Sequence, residues 1–237
     1  MKNRKTYGNT KSLENQIHVD QRHFKLSWLD KSKIERKGYD LIKRIVDIIL
    51  ACLGLIFIFP IMLWIAYKVR KENPDVSVIF SQQRIGQNGR AFTMYKFRSM
   101  CVDAEKQLGE LLNKNEVDGA MFKMKEDPRV TEFGKFIRRT SLDELPQLFN
   151  VIKGDMSLIG PRPPLEREVA EYTNYDRQRL FVKPGCSGLW QVSGRSEIQF
   201  KEMVELDIEY IKKRSLGYDI SLIAKTIAVI LKKDGAY

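Results

Sequence analysis

One apolar run limits what this chain can fold into more than any other feature. The segment IVDIILACLGLIFIFPIMLWIAY, Ile45 to Tyr67, is almost wholly apolar and has about the 20 residues that cross the hydrocarbon core of a bilayer. Pro60 lies inside this run, and a proline within a helix kinks it. A transmembrane helix fits these facts. A buried helix of a soluble protein fits them less well, because such helices are shorter and carry a polar face.

Basic residues flank the apolar run on both sides. They are Lys37, Lys43 and Arg44 before it and Lys68, Arg70 and Lys71 after it. Lys and Arg mark the cytoplasmic side of membrane segments. Basic flanks at both ends therefore favour a re-entrant helix, which enters the bilayer, bends near Pro60 and returns to the same face, over a helix that spans.

Composition divides the chain into three segments. Residues 1–38 are polar and mixed in charge, which predicts a loosely ordered leader. This leader has no apolar core and is not a signal peptide. Residues 39–71 hold the membrane helix with its basic flanks, and residues 72–237 predict one domain of short mixed elements.

Charge and residue usage narrow the chemistry. The net charge of +11 indicates an anionic partner, which could be nucleic acid, an anionic membrane surface or a phosphorylated substrate. The cysteines Cys52, Cys101 and Cys186 are far apart and predict neither a disulfide framework nor a zinc site. The two histidines, His18 and His23, lie in the leader. Acid–base or nucleophilic work would therefore fall to carboxylates.

Local patterns predict a hairpin and several helices after residue 72. An apolar strand ends near Phe80, a turn follows through Gly86 to Gly89, and a second strand follows in AFTMYKFRSM. Residues 102–125 read as a helix and then a loop. Near the C-terminus, an apolar stripe at helical spacing predicts either a core helix or an interfacial one. Its members are Ile220, Ile223, Ile227 and Leu231.

The stretch TSLDELPQLFN, residues 140–150, has two interpretations. Thr140 or Ser141 followed three residues later by an acid matches a helix capping box, with Pro146 tolerable in the first turn. In the other interpretation, Asp143 and Glu144 do chemistry. Unpaired backbone N–H groups at a helix start would keep the acid ionised and attract phosphate. Basic residues upstream and GPRPP downstream would bind phosphate oxygens while an acid attacks or holds a metal.

Taken together, these motifs resemble the bacterial sugar transferases, the monotopic polyprenyl-phosphate phosphoglycosyl transferases. The residues that carry the resemblance are Lys43-Arg44 with Asp47, the helix break at Pro60, YKFRSM, RRTSLDELPQLFNVIKGDMSLIGPRP, KPGCSGLWQVSGR and the terminal GAY. They extend over residues 40–237. One departure is Phe59-Pro60 at the helix break, where members often have Ser-Pro and the serine hydroxyl can satisfy a freed carbonyl.

The resemblance implies a reaction. Members transfer a sugar 1-phosphate from a UDP-sugar to undecaprenyl phosphate in a ping-pong reaction that releases UMP, as the first membrane step of exopolysaccharide, capsule or O-antigen synthesis. Asp143 matches the nucleophile, and Glu144 matches its partner, which supports an essential Mg²⁺. The terminal LGYDISLIAKTIAVILKKDGAY is closer to members that use galactose or glucose than to those that use N-acetylated sugars.

Further positions match basic and polar residues that the family places near substrate. Those expected around the phosphates are Lys96, Arg138 and Arg162, and those expected at other substrate contacts are Arg84, Gln191 and Arg195. The alternatives are a solvated strand face for Lys96 and surface charge for Arg138. Gly185, Gly188 and Gly194 are expected to set turns rather than to touch ligand.

The resemblance also implies an architecture and a location. The expected fold is a helix-rich α/β catalytic domain over residues 72–237, anchored by the re-entrant helix and by amphipathic interfacial helices. It would lie on the cytoplasmic face of the bacterial inner membrane, with homodimerisation left open.

A rival hypothesis is a membrane-tethered binder of anionic lipid or nucleic acid. Clustering of Lys and Arg around carboxylates argues against nucleic acid, and the single apolar segment argues against a multi-span transferase.

Overall fold

The computed structural model describes residues 36–111, 115–116, 122, 124, 126–194 and 198–232. The leader, apart from its last three residues, and Arg195 lie outside the described residues, as does the terminal GAY. The helices are α1 (Lys37–Glu72), α2 (Ala104–Leu111), α3 (Glu132–Arg139), α4 (Gln147–Lys153), α5 (Glu166–Ala170), α6 (Leu189–Ser193), α7 (Phe200–Lys213) and α8 (Leu216–Lys232). The strands are β1 (Ile79–Ile85), β2 (Ala91–Phe97), β3 (Ser157–Ile159) and β4 (Gly185–Ser187). The fold is thus helix-rich α/β, as predicted.

Helix α1 runs without a break through Pro60, and it is the one helix among the described residues that is long and apolar enough to cross a membrane. One stripe of it is buried at helical spacing, namely Asp47, Ala51, Met62, Ile65 and Val69. The opposite stripe is exposed, with Ile56 and Phe57 at 69% and 77%. The helix therefore lies along the rest of the protein with one face and leaves an apolar face uncovered.

Both ends of α1 are bonded to the same body of the protein. Near the start, Lys43 Nζ donates to Asp219 Oδ2 on α8 over 2.9 Å, and Arg44 donates to the Val151 and Ile152 carbonyls at the end of α4. At the other end, the Glu72 carboxylate accepts hydrogen bonds from α3 and the residue before it. Lys43 and Arg44 thus have partners within the protein, and Arg70 donates to the Val76 carbonyl over 3.1 Å.

Strands β1 and β2 form the predicted hairpin, paired antiparallel from Ile79↔Phe97 to Ile85↔Ala91. The expected end of the first strand near Phe80 is wrong, since β1 begins at Ile79 and continues through polar residues to Ile85. Pairing with β2 extends the strand to Ile85. One face of a two-stranded sheet can be exposed to water, and the polar side chains of Ser81 and Gln83 lie on that face. The turn falls where expected, with Asn88 and Gly89 at positive φ.

Helix α4 is attached to the free edge of β2 by Asn150. Its side-chain Nδ2 donates to the Thr93 carbonyl over 2.7 Å, and its Oδ1 accepts from the Tyr95 N–H over 3.1 Å. The amide replaces a neighbouring strand at this edge and is fully buried. The position of α4 relative to the hairpin is thereby set by one polar side chain.

A second small sheet supports the other side of the domain. Strands β3 and β4 pair in parallel, Ser157↔Gly185 and Ile159↔Ser187, and pack on α7 and α8 through Ile159, Tyr210 and Leu222. A Cβ on Gly185 would collide with the backbone of Gly160. Gly185 is therefore required by strand packing rather than by a turn, which corrects the expectation for this residue.

Exposed apolar side chains gather on four helices. Apart from those on α1, the set includes Phe136 on α3, Phe149 on α4, and Ile220, Ile227, Ile230 and Leu231 on α8. Helix α8 buries Leu222 completely on its other face. Three members of the predicted stripe, Ile220, Ile227 and Leu231, are exposed, whereas the fourth, Ile223, packs against the core.

Candidate functional site

The hairpin carries two of the predicted basic residues on one face. In the β1–β2 register Arg84 lies opposite Phe92 and Phe80 lies opposite Lys96. Residues directly opposite each other in an antiparallel pair point to the same side, and so do residues two apart along a strand. Arg84 and Lys96 therefore share the face that packs against the domain.

Lys96 joins the hairpin to the acidic pair. Its Nζ donates to Glu144 Oε1 over 2.6 Å and lies 3.8 Å from Asp143 Oδ2. The Glu144 side chain is 40% exposed, whereas that of Asp143 is 9% exposed. Lys96 is thus part of a carboxylate cluster and not of a solvated strand face.

The acidic pair does not cap a helix through a capping box. Thr140 ends α3, and its hydroxyl donates back to the Phe136 carbonyl. Ser141 has φ 55° and makes no side-chain capping bond, and Asp143 and Glu144 stand in a short 3₁₀ turn, Leu142–Glu144. Helix α4 begins only at Gln147. The left-handed residue at 141 turns the chain sharply, and this turn directs the two acids towards Lys96.

The pKa of Asp143 is not lowered, although the start of a helix would have lowered it. Burial raises the pKa of Asp143 to about 6, the charges of Lys96 and Arg138 lower it, and the Glu144 carboxylate raises it. At neutral pH the carboxylate is still mostly ionised. It is also poorly solvated, which is the condition of a reactive oxygen nucleophile.

Arg162 makes a second charged group with a residue that the sequence analysis missed. Its NH1 donates to Glu168 Oε2 over 3.0 Å, and Glu168 is 2% exposed. Burial opposes the charge on Arg162, but the Glu168 carboxylate raises its pKa. Arg162 is thus held in place by a buried acid and is not surface charge. The local signal that could have indicated Glu168 is its place as the third residue of α5, where its carboxylate accepts from the Leu165 N–H.

Arg84 lies between the two charged groups. Its NH1 and NH2 donate to neutral acceptors, the Pro163 carbonyl and the Gln82 amide oxygen, and its Nε is buried with no hydrogen-bond partner among the described residues. Burial and the charge of Arg162 lower the pKa of Arg84 to about 9, whereas the charges of Glu168 and Glu144 raise it. The guanidinium is therefore charged at neutral pH without a carboxylate of its own.

A fully buried ion pair underlies Arg162. Arg179 donates to Asp207 Oδ2 through both Nε and NH2, at 2.7 and 2.6 Å, and its NH1 donates to the Tyr172 hydroxyl. Arg179 NH2 also lies 3.4 Å from the Arg162 carbonyl. The buried charges of Arg179 and Asp207 therefore pair with each other. This pair fixes the backbone that carries Arg162, and no local pattern in the sequence indicated it.

The remaining predicted residues are placed as follows. Arg138 stands in the last turn of α3 and acts on Asp143 through its charge. Gln191 lies on α6, and its buried Oε1 has no hydrogen-bond partner in the described part of the chain. Gly194 has φ 153° and ends α6, which fits the expected turn. Pro60 is exposed on α1.

The acidic pair suits a hard divalent cation. Within the described ranges, no group of three or more His, Cys, Asp and Glu side chains could form an all-protein metal cage. Mg²⁺ does not need such a cage, since it is commonly held by one or two carboxylates together with substrate phosphates. The oxygen donors of Asp143 and Glu144 therefore fit Mg²⁺.

Comparison with known proteins identifies the family. The family model described as Bacterial sugar transferase matches residues 38–233. The galactosyl transferase CpsE of Streptococcus agalactiae is 47% identical over 205 residues, which are 86% of this chain and 45% of that protein. The undecaprenyl-phosphate galactose phosphotransferase of Salmonella typhimurium is 43% identical over 211 residues, 87% of this chain and 44% of that protein.

A shorter relative matches over nearly its whole length. The exopolysaccharide production protein ExoY of Sinorhizobium fredii is 38% identical over 199 residues, 82% of this chain and 88% of that protein. The chain spans less than half of the two longer relatives, at 45% and 44%, and most of ExoY. On this family match and these identities, the chain belongs to the bacterial sugar transferase family.

Proposed function

We propose that this protein transfers a hexose 1-phosphate from a UDP-sugar to undecaprenyl phosphate through an aspartyl-phosphosugar intermediate on Asp143. The observation that supports this most directly is a buried, ionised carboxylate next to Glu144 and the Lys96 ammonium. Such a carboxylate is a nucleophile with its counter-charges already in position. The Salmonella relative is named for undecaprenyl phosphate and galactose.

The reaction has two displacements at one phosphorus. An Asp143 carboxylate oxygen attacks the phosphorus that carries the sugar, the bond from this phosphorus to the bridging oxygen breaks, and UMP leaves with that electron pair. An oxygen of undecaprenyl phosphate then attacks the acyl phosphate, and the Asp143 carboxylate leaves. Two easier steps replace one difficult step.

Mg²⁺ is the proposed cofactor. Glu144 and Asp143 would hold it, and when bound it would offset the negative charge of the phosphates. Lys96 adds a fixed positive charge on the same carboxylates, 2.6 Å from Glu144. Lys96 thereby favours the ionised state of Asp143 and attracts the incoming diphosphate.

The arginines are the proposed diphosphate site. Arg84 and Arg162 are two positive charges close to one another, and Glu168 offsets only one of them. A buried excess of positive charge favours an anionic ligand, and the guanidinium fork matches phosphate oxygens in pairs. Arg138, Gln191 and Arg195 are proposed as further substrate contacts on the family resemblance.

The anchor is proposed to be re-entrant, with residues 72–237 as the catalytic domain on the cytoplasmic face of the inner membrane. A straight helix of 36 residues is about 54 Å long, whereas the hydrocarbon core is about 30 Å thick. Yet residues on both sides of Pro60 pack on the same domain, Asp47 and Ala51 before it and Ile65 and Val69 after it. Because both halves of α1 contact one domain, this packing supports an anchor whose two ends lie on the same face of the membrane.

A membrane-tethered binder without chemistry is the rival function, and one experiment separates the two. Purified protein in detergent is mixed with UDP-galactose or UDP-glucose and Mg²⁺, without lipid acceptor, and released UMP and intact-protein mass are measured. We expect one equivalent of UMP and a mass increase of one hexose phosphate. UDP-N-acetylgalactosamine serves as the comparison for the sugar. If none of the sugar nucleotides gives UMP or an adduct, the result would favour the binder.

A further inference from the structure

Asn150 is a buried polar residue that the proposed chemistry does not use. It lies on α4, a few residues after Glu144, and is fully buried. Both ends of its amide contact β2, because Nδ2 donates to the Thr93 carbonyl over 2.7 Å and Oδ1 accepts from the Tyr95 N–H over 3.1 Å. Tyr95 immediately precedes Lys96 on this strand. Asn150 therefore holds the strand at the residue next to the ammonium of the charged cluster.

The acidic pair is joined to the same helix by backbone hydrogen bonds. The Leu145 N–H donates to the Leu142 carbonyl across the 3₁₀ turn, and the Leu148 N–H donates to the Leu145 carbonyl at the start of α4. The turn that carries Asp143 and Glu144 thus continues into α4 as one hydrogen-bonded unit. A shift of α4 along β2 would carry both acids with it.

The backbone at the end of α4 fixes the position of Asn150 itself. The Asn150 carbonyl accepts from the N–H groups of Gly154, Asp155 and Met156 at 3.1, 3.0 and 3.2 Å. Gly154, at φ 94°, turns the chain at this point. The side-chain Nδ2 of Asn150 also lies 3.3 Å from Asp155 Oδ2. The amide therefore reaches the edge of β2 from a backbone that is itself held by several bonds.

Apolar contacts also join α4 to β2, but they do not set a position along the strand. Val151 and Met94 belong to one buried apolar cluster, and apolar attraction depends on buried area rather than on direction. Hydrogen bonds to a carbonyl and an N–H of the strand are directional. A slip by one residue would move the strand by about 3.3 Å. Such a slip would break the contacts of Lys96 with the two acids, which are 2.6 and 3.8 Å long.

We propose that Asn150 is a positioning residue, which keeps the Lys96 ammonium at the acidic pair by fixing α4 against the edge of β2. This inference rests on the proposed function. An asparagine amide supplies both a donor and an acceptor, as a carbonyl and an N–H at a strand edge require, whereas an ionised aspartate supplies acceptors only. Asn150 thus acts on the reaction through Lys96 and does not touch substrate.

The test is a double-mutant cycle between Asn150→Leu and Lys96→Met. Leucine is similar in size to asparagine but has neither a donor nor an acceptor. The measured quantity is the rate constant of the UMP burst from UDP-sugar and Mg²⁺ in detergent. The rate constant is compared rather than the amplitude, because partial unfolding lowers the amplitude and leaves the rate constant of the folded protein unchanged.

The matched control is Val151→Ala, at the next residue of α4. Val151 is also fully buried, so this variant loses apolar packing but keeps the amide contacts of Asn150. Asn150→Ser, which has a smaller polar side chain, is the second variant and takes the place of Asn150→Leu in the same cycle if the leucine variant does not fold.

We expect Asn150→Leu to slow the burst by about tenfold or more, since misplacement of an active-site group by about 1 Å can cost up to about a hundredfold. In the Lys96→Met background the same replacement should cost less than about twofold, because the group through which it acts is already gone. Val151→Ala should lower the melting temperature and leave the rate constant nearly unchanged.

Three results would overturn the proposal. They are an unchanged rate constant in the Asn150 variant, losses that multiply in the double variant, and an equal loss of rate constant in Val151→Ala. The last two would mean that Asn150 serves the packing of the domain and does not act through Lys96. A wild type without any burst would instead refute the proposed function.

Discussion

The Lys96 ammonium lies 2.6 Å from Glu144 Oε1 and 3.8 Å from Asp143 Oδ2, across 48 residues of sequence. This ion-pair cluster joins the face of a hairpin to a 3₁₀ turn that a left-handed serine initiates. Lys96 thus lies near two carboxylates, of which Glu144 is more exposed to solvent than Asp143. The partly exposed acid, Glu144, can be reached from solvent, and the buried acid, Asp143, has a raised pKa.

The first prediction concerns Lys96. Lys96→Met removes a charge that lowers the pKa of Asp143, so the pKa should rise above its present value of about 6. The rate of the UMP burst should then fall at pH 7 and recover partly as the pH is raised. Stopped-time UMP assays between pH 5.5 and about 9 measure this midpoint. Lys96→Arg, which keeps the charge, should keep the midpoint near the wild-type value. An unshifted midpoint in Lys96→Met would show that Lys96 only binds phosphate.

The second prediction separates the two acids. Asp143→Asn should abolish both the burst and the mass adduct, because an amide cannot form the acyl phosphate. Glu144→Gln should retain the nucleophile and form the adduct slowly, with a higher requirement for Mg²⁺. Intact-protein mass after brief exposure to UDP-sugar distinguishes the variants. An adduct that persists on Asp143→Asn would assign the nucleophile to Glu144.

The third prediction concerns stability. The pKa of Asp143 rises from 3.8 to about 6 on folding because of burial. The folded state then binds more protons than the unfolded state, so the wild type loses stability as the pH rises through this interval. Asp143→Asn carries no such charge and should be more stable than the wild type above pH 6, by up to roughly 3 kcal/mol.

The measurement for the third prediction is thermal or urea unfolding of both proteins between pH 3.5 and about 8 in one detergent. The advantage of Asp143→Asn should disappear near pH 4. A variant that is less stable than the wild type at every pH would mean that the carboxylate makes favourable contacts that outweigh its burial. Glu144→Gln removes a charge that raises the pKa of Asp143, so this variant should show part of the same pH-dependent gain.

The fourth prediction concerns Arg162. Arg162→Lys keeps the positive charge beside Glu168, whose carboxylate is 3.0 Å away, but loses the two-pronged fork that fits phosphate. We expect the burst rate to fall by about tenfold or more while the melting temperature changes little. Arg167→Lys, at an exposed position on α5, is the matched control. A melting temperature that falls together with the burst rate would assign Arg162 a structural role only.

The fifth prediction concerns the anchor. Single cysteines at Lys37 and Lys71, both exposed at the ends of α1, replace residues without disturbing the bonds of Arg44. With the three native cysteines removed, a reagent confined to the cytoplasmic side should label both positions if the helix is re-entrant. Labelling of the two positions from opposite sides would indicate a span. Pro60→Ala should shift the pattern towards spanning, because a proline favours a bend in a helix and an alanine does not.

Local sequence determined the parts of this protein that depend on a few neighbouring residues. The long apolar run became α1, and the glycines at 86 and 89 placed the hairpin turn. These features follow from short-range causes, namely hydrophobic composition over a helix length and the φ angles that a turn requires. The family motifs likewise pointed to Asp143 and Glu144 without knowledge of their partners.

The tertiary structure alone decided what surrounds those residues. It brought Lys96 to Glu144, placed Glu168 and the Arg179–Asp207 pair behind Arg162, and made Asn150 the cover of the β2 edge. It also buried Asp143 and so raised its pKa, where local helix geometry predicted a strongly ionised acid. Burial and ion pairing depend on contacts between segments that are far apart in the chain, and no short window of sequence contains them.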